Sequence, residues 1–407
     1  MSDYTVKSVF EGGRTTSYVA GRIDSSNAKA LGKDLRSAYE AHPDAPISLD
    51  FKEVEYISSA GLRALLELRK LAAPGAHATK IAIREAAPHV AEILEDTGFS
   101  RMFDVHETLK EFDVEGLDVL AKTMKGFTYR VDEDTVLAVY MQDYPLSLVE
   151  RERENTQNAL VAGAPVLISF GTVHVGASYG ILYEAPNATT VAEAVSSGEG
   201  TPQEWGAKVG ELLKSLHATT AEEGQFSDKR AQGLACLEDV VARGLFTDEE
   251  VRPAVELYEA LPEASSILHG NCTPHTILVR DGDLLLMDMV DAGFGHPAID
   301  LAGAYACYVM SHELRKEAAM QLYGIDADTL VAMWGALMRS YFGTDDEEEL
   351  ARHERIIDAF ARVRMVLMLS WFKSAPQQFV DGVRGMLEAH AEVIKDATAL
   401  LGEAASE

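Results

Sequence analysis

The sequence predicts two domains of different class, an α/β domain followed by an α+β domain with two lobes. Three observations support this. Strand and helix patterns alternate over the first 110 residues or so, as in a small sheet with helices packed on it. A strand-rich stretch with one helix follows, and the chain then becomes mostly helical from Pro202 onward, with a single hairpin. We place the domains at residues 1–112 and 122–402, with the two lobes of the second at about 122–200 and 201–402.

Composition narrows the function classes. The chain has 407 residues, 47% of them hydrophobic, which is enough for two or three domains with ordinary cores. Its net charge of −29 argues against non-specific binding to nucleic acid or to an anionic membrane. We expect no signal peptide, no membrane span and, with three cysteines far apart in sequence, no disulfide framework. These features predict a cytoplasmic protein.

The elements of the first domain follow from their apolar spacing. The predicted order is strand 15–20, turn 21–25, helix 28–39, strand 47–51, an extended segment 54–59, helix 60–71, strand 80–83 and a helix around residues 90–94. This last helix stops at Thr97-Gly98-Phe99, where Gly98 is suited to a C-terminal cap.

Four segments of this domain are similar in residue type and order to STAS domains of the anti-sigma-factor-antagonist type. They are Gly21-Arg22-Ile23-Asp24, the strand end at Asp50, residues 57–63 (Ile-Ser-Ser-Ala-Gly-Leu-Arg) and residues 97–99. The resemblance implies a protein-binding switch whose partner is an anti-sigma factor or switch kinase. It also implies that Ser59 is the phosphoacceptor, flanked by Asp24, Ser58 and Gly61.

The switch departs from the family pattern at two positions. Ser58 stands where the family usually has aspartate, and Ala60 replaces the next hydroxyl residue. A phosphate at Ser59 would add about −1.5 to −2 charges beside free helix N–H groups. The alternative is that Ser58 and Ser59 only cap the helix.

The second domain begins with strands. Strands 128–130 and 135–141 enclose a turn, helix 147–162 follows, and strands 166–170, 172–175 and 179–184 complete the first lobe. In the helical lobe, residues 277–288 form a hairpin around Asp281-Gly282. Residues 350–372 carry a broad apolar helical face, which is typical of a core helix.

Three segments then resemble the aminoglycoside-phosphotransferase branch of the kinase fold. Residues 213–217 (Leu-Lys-Ser-Leu-His) resemble its Leu-x-x-Leu-His helix. Residues 269–278 (His-Gly-Asn-Cys-Thr-Pro-His-Thr-Ile-Leu) stand where the family has His-Gly-Asp-x-His-x-x-Asn-Ile/Val-Leu. Asp288, residues 295–297 (Gly-His-Pro) and Asp300-Leu301 resemble its metal-binding segment.

The departures from this family decide the functional prediction. Aligned in this way, Asn271 replaces the catalytic aspartate, Thr276 the metal-binding asparagine and Ala138 the phosphate-binding lysine. Of the catalytic set only Asp288 remains, as the one candidate metal ligand. The sequence allows Lys122, Lys125 or Asp291 to substitute for a lost group, but no spacing argues for it. The resemblance places four residues at a nucleotide or metal cleft: Glu152, Glu184, His269 and Asp288.

The sequence therefore predicts a cytoplasmic regulatory protein in which a STAS switch is joined to a pseudokinase domain without enzymatic activity. If ATP binds, we expect it to bind weakly and with little need for Mg²⁺. One alternative is an active phosphotransferase, acting on a small molecule or a protein serine, that the STAS domain regulates. Another is a scaffold with neither phosphorylation nor a ligand.

Overall fold

The structure is a computed structural model that describes residues 4–11, 14–43, 45, 47–72, 81–123, 125–222, 224–314, 317–372 and 374–404. The chain divides into two compact units, Met1–Glu111 and Phe112–Glu407. Within the described residues, no helix combines the length and apolar character needed to cross a membrane.

The first unit is a five-stranded sheet with helices. Its elements are β1 (Thr5–Glu11), β2 (Arg14–Ile23), α1 (Ala28–Ala41), β3 (Ile47–Ile57), α2 (Ser59–Ala72), β4 (Ile81–Ala86), α3 (Pro88–Asp96), β5 (Phe103–Glu107) and a two-residue strand β6 (Lys110–Glu111). The sheet order is β1-β2-β3-β4-β5, with β1 antiparallel to β2 and the other pairs parallel.

The core of this unit follows the apolar pattern of the sequence. Leu31 and Leu35, one helical turn apart on α1, are fully buried in the same cluster as Leu49 and Phe51 of β3 and Ile83 of β4. This packing fixes α1 and α2 against the sheet, and it places the start of α2 directly after β3.

The second unit opens with an antiparallel sheet whose spatial order includes β10-β11-β9-β8-β7. Its elements are β7 (Val119–Lys122), β8 (Gly126–Arg130), β9 (Thr135–Tyr140), α4 (Leu146–Val161), β10 (Ser169–Val175), β11 (Ser178–Glu184) and β12 (Thr189–Thr190). Within this sheet Ala138 pairs with Thr128 on one side and with Ile181 on the other.

The rest of the second unit is mainly helical. Its elements are α5 (Val191–Ser196), α6 (Pro202–His217), α7 (Lys229–Ala242), α8 (Asp248–Glu259), β13 (Ser266–Leu268), β14 (Ile277–Arg280), β15 (Asp283–Leu286), β16 (Gly293–Gly295), α9 (Pro297–Tyr305), α10 (Ser311–Leu314), α11 (Ala318–Tyr323), α12 (Ala327–Phe342), α13 (Glu347–Leu367), α14 (Gln377–Ala389) and α15 (Ala391–Ala404). Helix α6 begins with a capping box between Thr201 and Glu204 and buries Trp205, Val209 and Leu213 at four-residue spacing.

Two short pairings position the functional loops. Strands β14 and β15 form the predicted hairpin around Asp281-Gly282, which ends at Leu286 rather than at residue 288. Strand β13 pairs with β16, Ile267 opposite Phe294, so the loop after β13 and the turn before β16 lie side by side.

The sequence prediction differs from the structure at several elements, and it contained no strand at β5, β7, β13 or β16. It omitted β1, whose mixed residues lie on the edge of the sheet beside β2. It divided residues 47–57 into a strand and a separate extended segment, whereas β3 is continuous. It also placed strands at 166–170 and 172–175, whereas one strand covers Ser169–Val175 with a register shift between Ser169 and Gly171. Lys80, predicted in a strand, lies outside the described residues.

Candidate functional site

A cavity of about 300 Å³ lies in the second unit, between the strand-rich part and the β14–β15 hairpin. Its apolar lining includes Val136, Ala138, Leu278 and Met287. Its charged lining includes Lys125, Glu152 and Asp288, which come from a loop, from α4 and from the turn after β15. Apolar walls with a few charged groups at one end are typical of a small-molecule site.

Lys125 supplies a cation that the sequence prediction did not place in this cavity. Its ammonium binds the carboxylate of Asp288, and it lies close enough to Glu152 for attraction. Burial acts to lower the pKa of Lys125, but Asp288 and Glu152 outweigh burial and hold the pKa above its usual value. Ala138, at the position of the family's phosphate-binding lysine, carries no charge, and Lys125 supplies a cation to the cavity instead.

The position of Lys125 follows from the strand register. Gly126 pairs with Tyr140, two residues beyond Ala138 on the neighbouring strand, and the Met141 amide donates to the Lys125 carbonyl. The lysine therefore leaves the sheet at the end of β9 that follows Ala138. The signal in the sequence was a lysine directly before a glycine at the start of a strand.

Glu152 is buried and strongly perturbed. Burial and the neighbouring Asp288 raise the pKa of Glu152 to about 7, although Lys125 and two tyrosine hydroxyls oppose the change. Tyr183 donates a hydrogen bond of 3.2 Å to Oε1. Among the described residues, no hydrogen-bond partner reaches Oε2. Near neutral pH this carboxyl can therefore take up a proton and donate it to a ligand.

Asn155 holds the Asp288 turn in place, and the sequence analysis missed it. The residue is buried on α4, and its side-chain amide donates to the carbonyl of Met289 at 2.8 Å. It also lies within 3.4 Å of the carbonyls of Val290 and Ala292. Asp288 itself adopts a left-handed conformation with φ of 65°. No pattern in the sequence signalled this role, because the contact joins residues 134 positions apart.

The loop from His269 to Thr276 is closed by its own hydrogen bonds. His269 donates from Nε2 to the Met287 carbonyl at 2.9 Å and accepts at Nδ1 from the Asn271 amide. The Thr276 hydroxyl donates to the Thr273 carbonyl and accepts from the Thr273 amide. Thr276 stands at the position of the family's metal-binding asparagine, but its buried hydroxyl is engaged within the loop.

Asp300 fastens the start of this loop. Its carboxylate accepts from the backbone amides of His269 and Gly270, at 2.7 and 2.8 Å, and from His217 at 3.0 Å. Burial acts to raise the pKa of Asp300, but the bonds from His217 and His269 lower it to about 2. These bonds hold the first residues of the loop in place.

A second cavity of about 430 Å³ adjoins the same turn and contains the base position. Asn271 and Asp291 line it, together with Lys125, which borders both cavities. Asn271 carries an amide, which cannot accept a proton at neutral pH. Thus Ala138 and Asp288 border the first cavity and Asn271 the second.

Glu184, which we predicted at the cleft, instead forms an ion pair with Arg280. The two side chains approach to 3.2 Å, and Glu184 Oε1 also accepts from the Ile168 amide. These contacts tie β11 to the β14–β15 hairpin.

The residues present do not fit a family-type magnesium site. Asp288 is neutralised by Lys125, and the hydroxyl of Thr276 is engaged elsewhere. Within the described part of the chain, no group of three or more His, Cys, Asp or Glu residues is arranged to hold a metal ion. The first cavity offers one cation, Lys125, beside an apolar lining.

In the first unit, Ser59 is the first residue of α2 and is exposed. Ser58 takes the capping role, since its Oγ accepts from the Gly61 amide at 3.4 Å and its carbonyl accepts from Leu62. The predicted placement of Ser59 at an exposed helix N-terminus is confirmed. Its phosphorylation stays a prediction.

Gly61 is required by close packing behind this serine. A Cβ atom at position 61 would lie 2.6 Å from Ile23 Cγ2 and 2.8 Å from Ile57 Cγ1. On the connection between β2 and α1, Asp24 accepts from the side chain and backbone of Ser26, and these bonds lower the pKa of its carboxyl. Asp24 is therefore a fixed anion.

Comparison with known proteins agrees with both units. The model of the phosphotransferase enzyme family matches residues 127–336, and the STAS domain model matches residues 9–112. The chain belongs to the phosphotransferase enzyme family and carries a STAS domain ahead of the matched region. It is 33% identical over 89 residues to BtrV of Bordetella bronchiseptica, which is named as an anti-sigma factor antagonist; the match covers 21% of this chain and 71% of BtrV.

The chain is also similar to solved structures. One is a choline/ethanolamine kinase family protein from Mesorhizobium loti, with 17% identity and a TM-score of 0.46, covering 70% of this chain and 92% of that one. Another is aminoglycoside phosphotransferase APH(2'')-Ib with ADP bound, with 14% identity and a TM-score of 0.47, covering 75% and 99%.

Proposed function

We propose that this chain is a cytoplasmic signalling protein in which a STAS switch is joined to a kinase-like domain that binds nucleotide without transferring phosphate. STAS domains of the antagonist type bind partner proteins, and an anti-sigma factor or switch kinase is the class of partner that Ser59 fits. The partner binds through the STAS unit, and the second unit holds the ligand.

The main support for a loss of catalysis is Asn271, which stands at the position of the family's catalytic aspartate. Phosphoryl transfer needs a group that accepts or orients the attacking proton, metal ions bridging the phosphates and a cation that grips them. Asn271 cannot accept the proton, and Thr276 offers no free ligand atom to a metal. Losing the base and the metal site together removes most of the electrostatic stabilisation of the transition state.

The proposed switch in the first unit is supported by the different environments of Ser58 and Ser59. Ser58 caps α2, so Ser59 is not needed for that purpose, and no hydrogen bond to its hydroxyl occurs within the described residues. A phosphate at Ser59 would place about −1.5 to −2 charges on an exposed helix N-terminus, and it would change what the surface binds.

Two matched substitutions test the switch. Ser59→Asp adds a charge at this surface and Ser59→Ala removes only a hydroxyl, so we expect at least a tenfold loss of affinity for the partner with Asp and less than a twofold change with Ala. Binding of the full chain to a purified anti-sigma factor or switch kinase, measured by calorimetry, gives the comparison. Equal affinities for both variants would contradict regulation by charge.

One observation favours the alternative of an active phosphotransferase. Lys125 restores a cation that Ala138 lacks, and the Asp291 carboxylate lines the same cavity as Asn271. If Asp291 acted as the base, the wild type would transfer phosphate and the Asp291→Asn variant would not. Our proposal instead predicts no turnover in either protein.

A further inference from the structure

The second cavity has a charge opposite to that of the chain. The whole sequence holds 36 lysines and arginines against 65 aspartates and glutamates. The lining of this cavity holds four cationic side chains against two carboxylates, and the cationic ones are Lys125, Arg151, Lys229 and Arg364. Such a net positive lining in an acidic protein indicates that the cavity attracts anionic ligands.

Neither carboxylate reverses this balance. Asp300 is fully buried and already accepts from His217 and two backbone amides. That leaves Asp291, which faces Lys229 and attracts it. A cationic ligand would therefore meet like charge along most of the charged wall.

Three of the four cations come from separate helices that converge on the cavity. Arg151 lies on α4, Lys229 is the first residue of α7 and Arg364 lies in the last turn of α13. The stem of Lys229 packs on Gly293, where a Cβ atom would come within 2.5 Å of Cε. Without a side chain at position 293 the stem can lie flat, with its ammonium bonded to Gln232 at 2.9 Å.

The titration of Lys229 agrees with this crowding. Burial lowers the pKa of its ammonium, and Arg364 and Arg151 lower it further, although Asp291 acts in the opposite direction. An anion bound here would relieve the repulsion between these groups.

The remaining wall is apolar and aromatic. Tyr258 and Phe360 pack edge to face with ring centroids 5.2 Å apart, and both border the cavity beside Ile299 and Leu367. A volume of about 430 Å³ accommodates a small organic molecule.

We propose that this cavity binds a small phosphate monoester, with its phosphate held by Lys229, Arg364 and Arg151 and its organic part on Tyr258 and Phe360. Guanidinium and ammonium groups match phosphate oxygens in charge and geometry. This binding is separate from nucleotide binding in the first cavity, and it does not depend on whether the domain transfers phosphate.

Three probes of similar size test the ligand class by calorimetry on the full chain. Phenyl phosphate carries a ring and a dianion, phenol is neutral and benzylamine is cationic. We expect phenyl phosphate to bind, with an affinity that falls as salt is added, and the other two to give no heat of binding. Binding of benzylamine, or equal binding of phenol and phenyl phosphate, would overturn the proposal.

Matched variants locate the site. Lys229→Met keeps the stem on Gly293 but removes the charge, and Arg151→Gln removes the charge of an exposed residue on α4. Each should weaken phenyl phosphate binding about tenfold or more. Lys208→Gln, which removes the same charge at a position outside this cavity, should change it less than twofold. Equal affinity in Lys208→Gln and Arg151→Gln would refute the assignment.

A separate titration with ADP distinguishes this proposal from the proposed function. If Lys229→Met binds ADP like the wild type but loses phenyl phosphate, the two sites are distinct, as we propose. If ADP does not bind the wild type while phenyl phosphate does, nucleotide binding fails and the anion site stands.

Discussion

Replacing Lys125 by alanine separates the role of this lysine from that of a metal ion. The substitution removes the only cation that the described residues place on Asp288, and it leaves Asp288 and Glu152 as two neighbouring carboxylates. The side chains of Lys125 and Asp288 are 35% and 22% exposed, between a surface pair and a buried one. Breaking the pair should therefore cost about 1–2 kcal/mol, which lowers Tm by roughly 2–8 °C in a domain of this size.

The same substitution should make nucleotide binding dependent on metal. In the wild type the ammonium already neutralises Asp288, so ATP affinity should differ less than twofold between excess Mg²⁺ and EDTA. In Lys125→Ala the Asp288 carboxylate is no longer paired with an ammonium and can attract a divalent cation, so ATP should bind at least tenfold more tightly with Mg²⁺ than with EDTA. Calorimetry on the full chain measures both.

Lys122→Ala is the matched control for this experiment. Lys122 is the last residue of β7 and is exposed. The one side-chain interaction that the structure describes for it places its ammonium 5.5 Å from the centroid of the Phe127 ring. Its removal should leave both Tm and metal dependence unchanged. Wild-type affinity that rises more than tenfold on adding Mg²⁺ would refute the reasoning, because Asp288 would then be free to bind the metal.

Three further substitutions test the surrounding structure. Because the folded-state pKa of Glu152 lies at about 7, above the ordinary 4.5, its contribution to stability is lost as pH rises through that interval. The wild type should lose unfolding free energy between pH 5 and 8, and Glu152→Gln should lose less. If the unfolding free energies of both proteins, measured by urea denaturation at each pH, changed equally with pH, that result would argue against the burial of this charge. Asp300→Asn should lower stability at pH 7 by about 3 kcal/mol, since it leaves buried donors without their anion. The pKa of Asp300 is depressed to about 2, so this difference should shrink as the pH of the unfolding experiment falls toward 2, and a constant difference would be evidence against hydrogen bonding to the ionised carboxylate. Gly61→Val should destabilise the first unit by about 1–3 kcal/mol through contact with Ile23 and Ile57, and an unchanged Tm by circular dichroism would contradict the tight packing there.

Local patterns in the sequence predicted the domain classes well. The periodic apolar residues of α1 and β3 and the Asp281-Gly282 turn are signals within a few neighbouring positions. Edge strand β1 was missed because it has one exposed face and mixed residues, and its pairing with β2 is what makes it a strand. Tertiary contact decides such an element more than propensity does.

The candidate site was less predictable, because its contacts join residues far apart in the chain. Family spacing identified Asp288 and Glu152, but the ammonium that neutralises Asp288 comes from position 125, which no motif marks. Asn155 is likewise invisible until α4 packs on the Asp288 turn. Thr276 is the opposite case. It aligns with the family's metal-binding asparagine, but its hydroxyl is hydrogen-bonded within its own loop.

Phosphate release from ATP tests the central claim most directly. The purified full chain and its Asp288→Ala variant are incubated with ATP and excess Mg²⁺, with phenyl phosphate or an aminoglycoside added in parallel, and released and transferred phosphate are both quantified. Our account predicts no phosphate above the Asp288→Ala background, with ATP recovered intact, because Asn271 cannot act as the base and Lys125 occupies Asp288. Turnover by the wild type that disappears in Asp288→Ala would contradict the account and establish an active phosphotransferase.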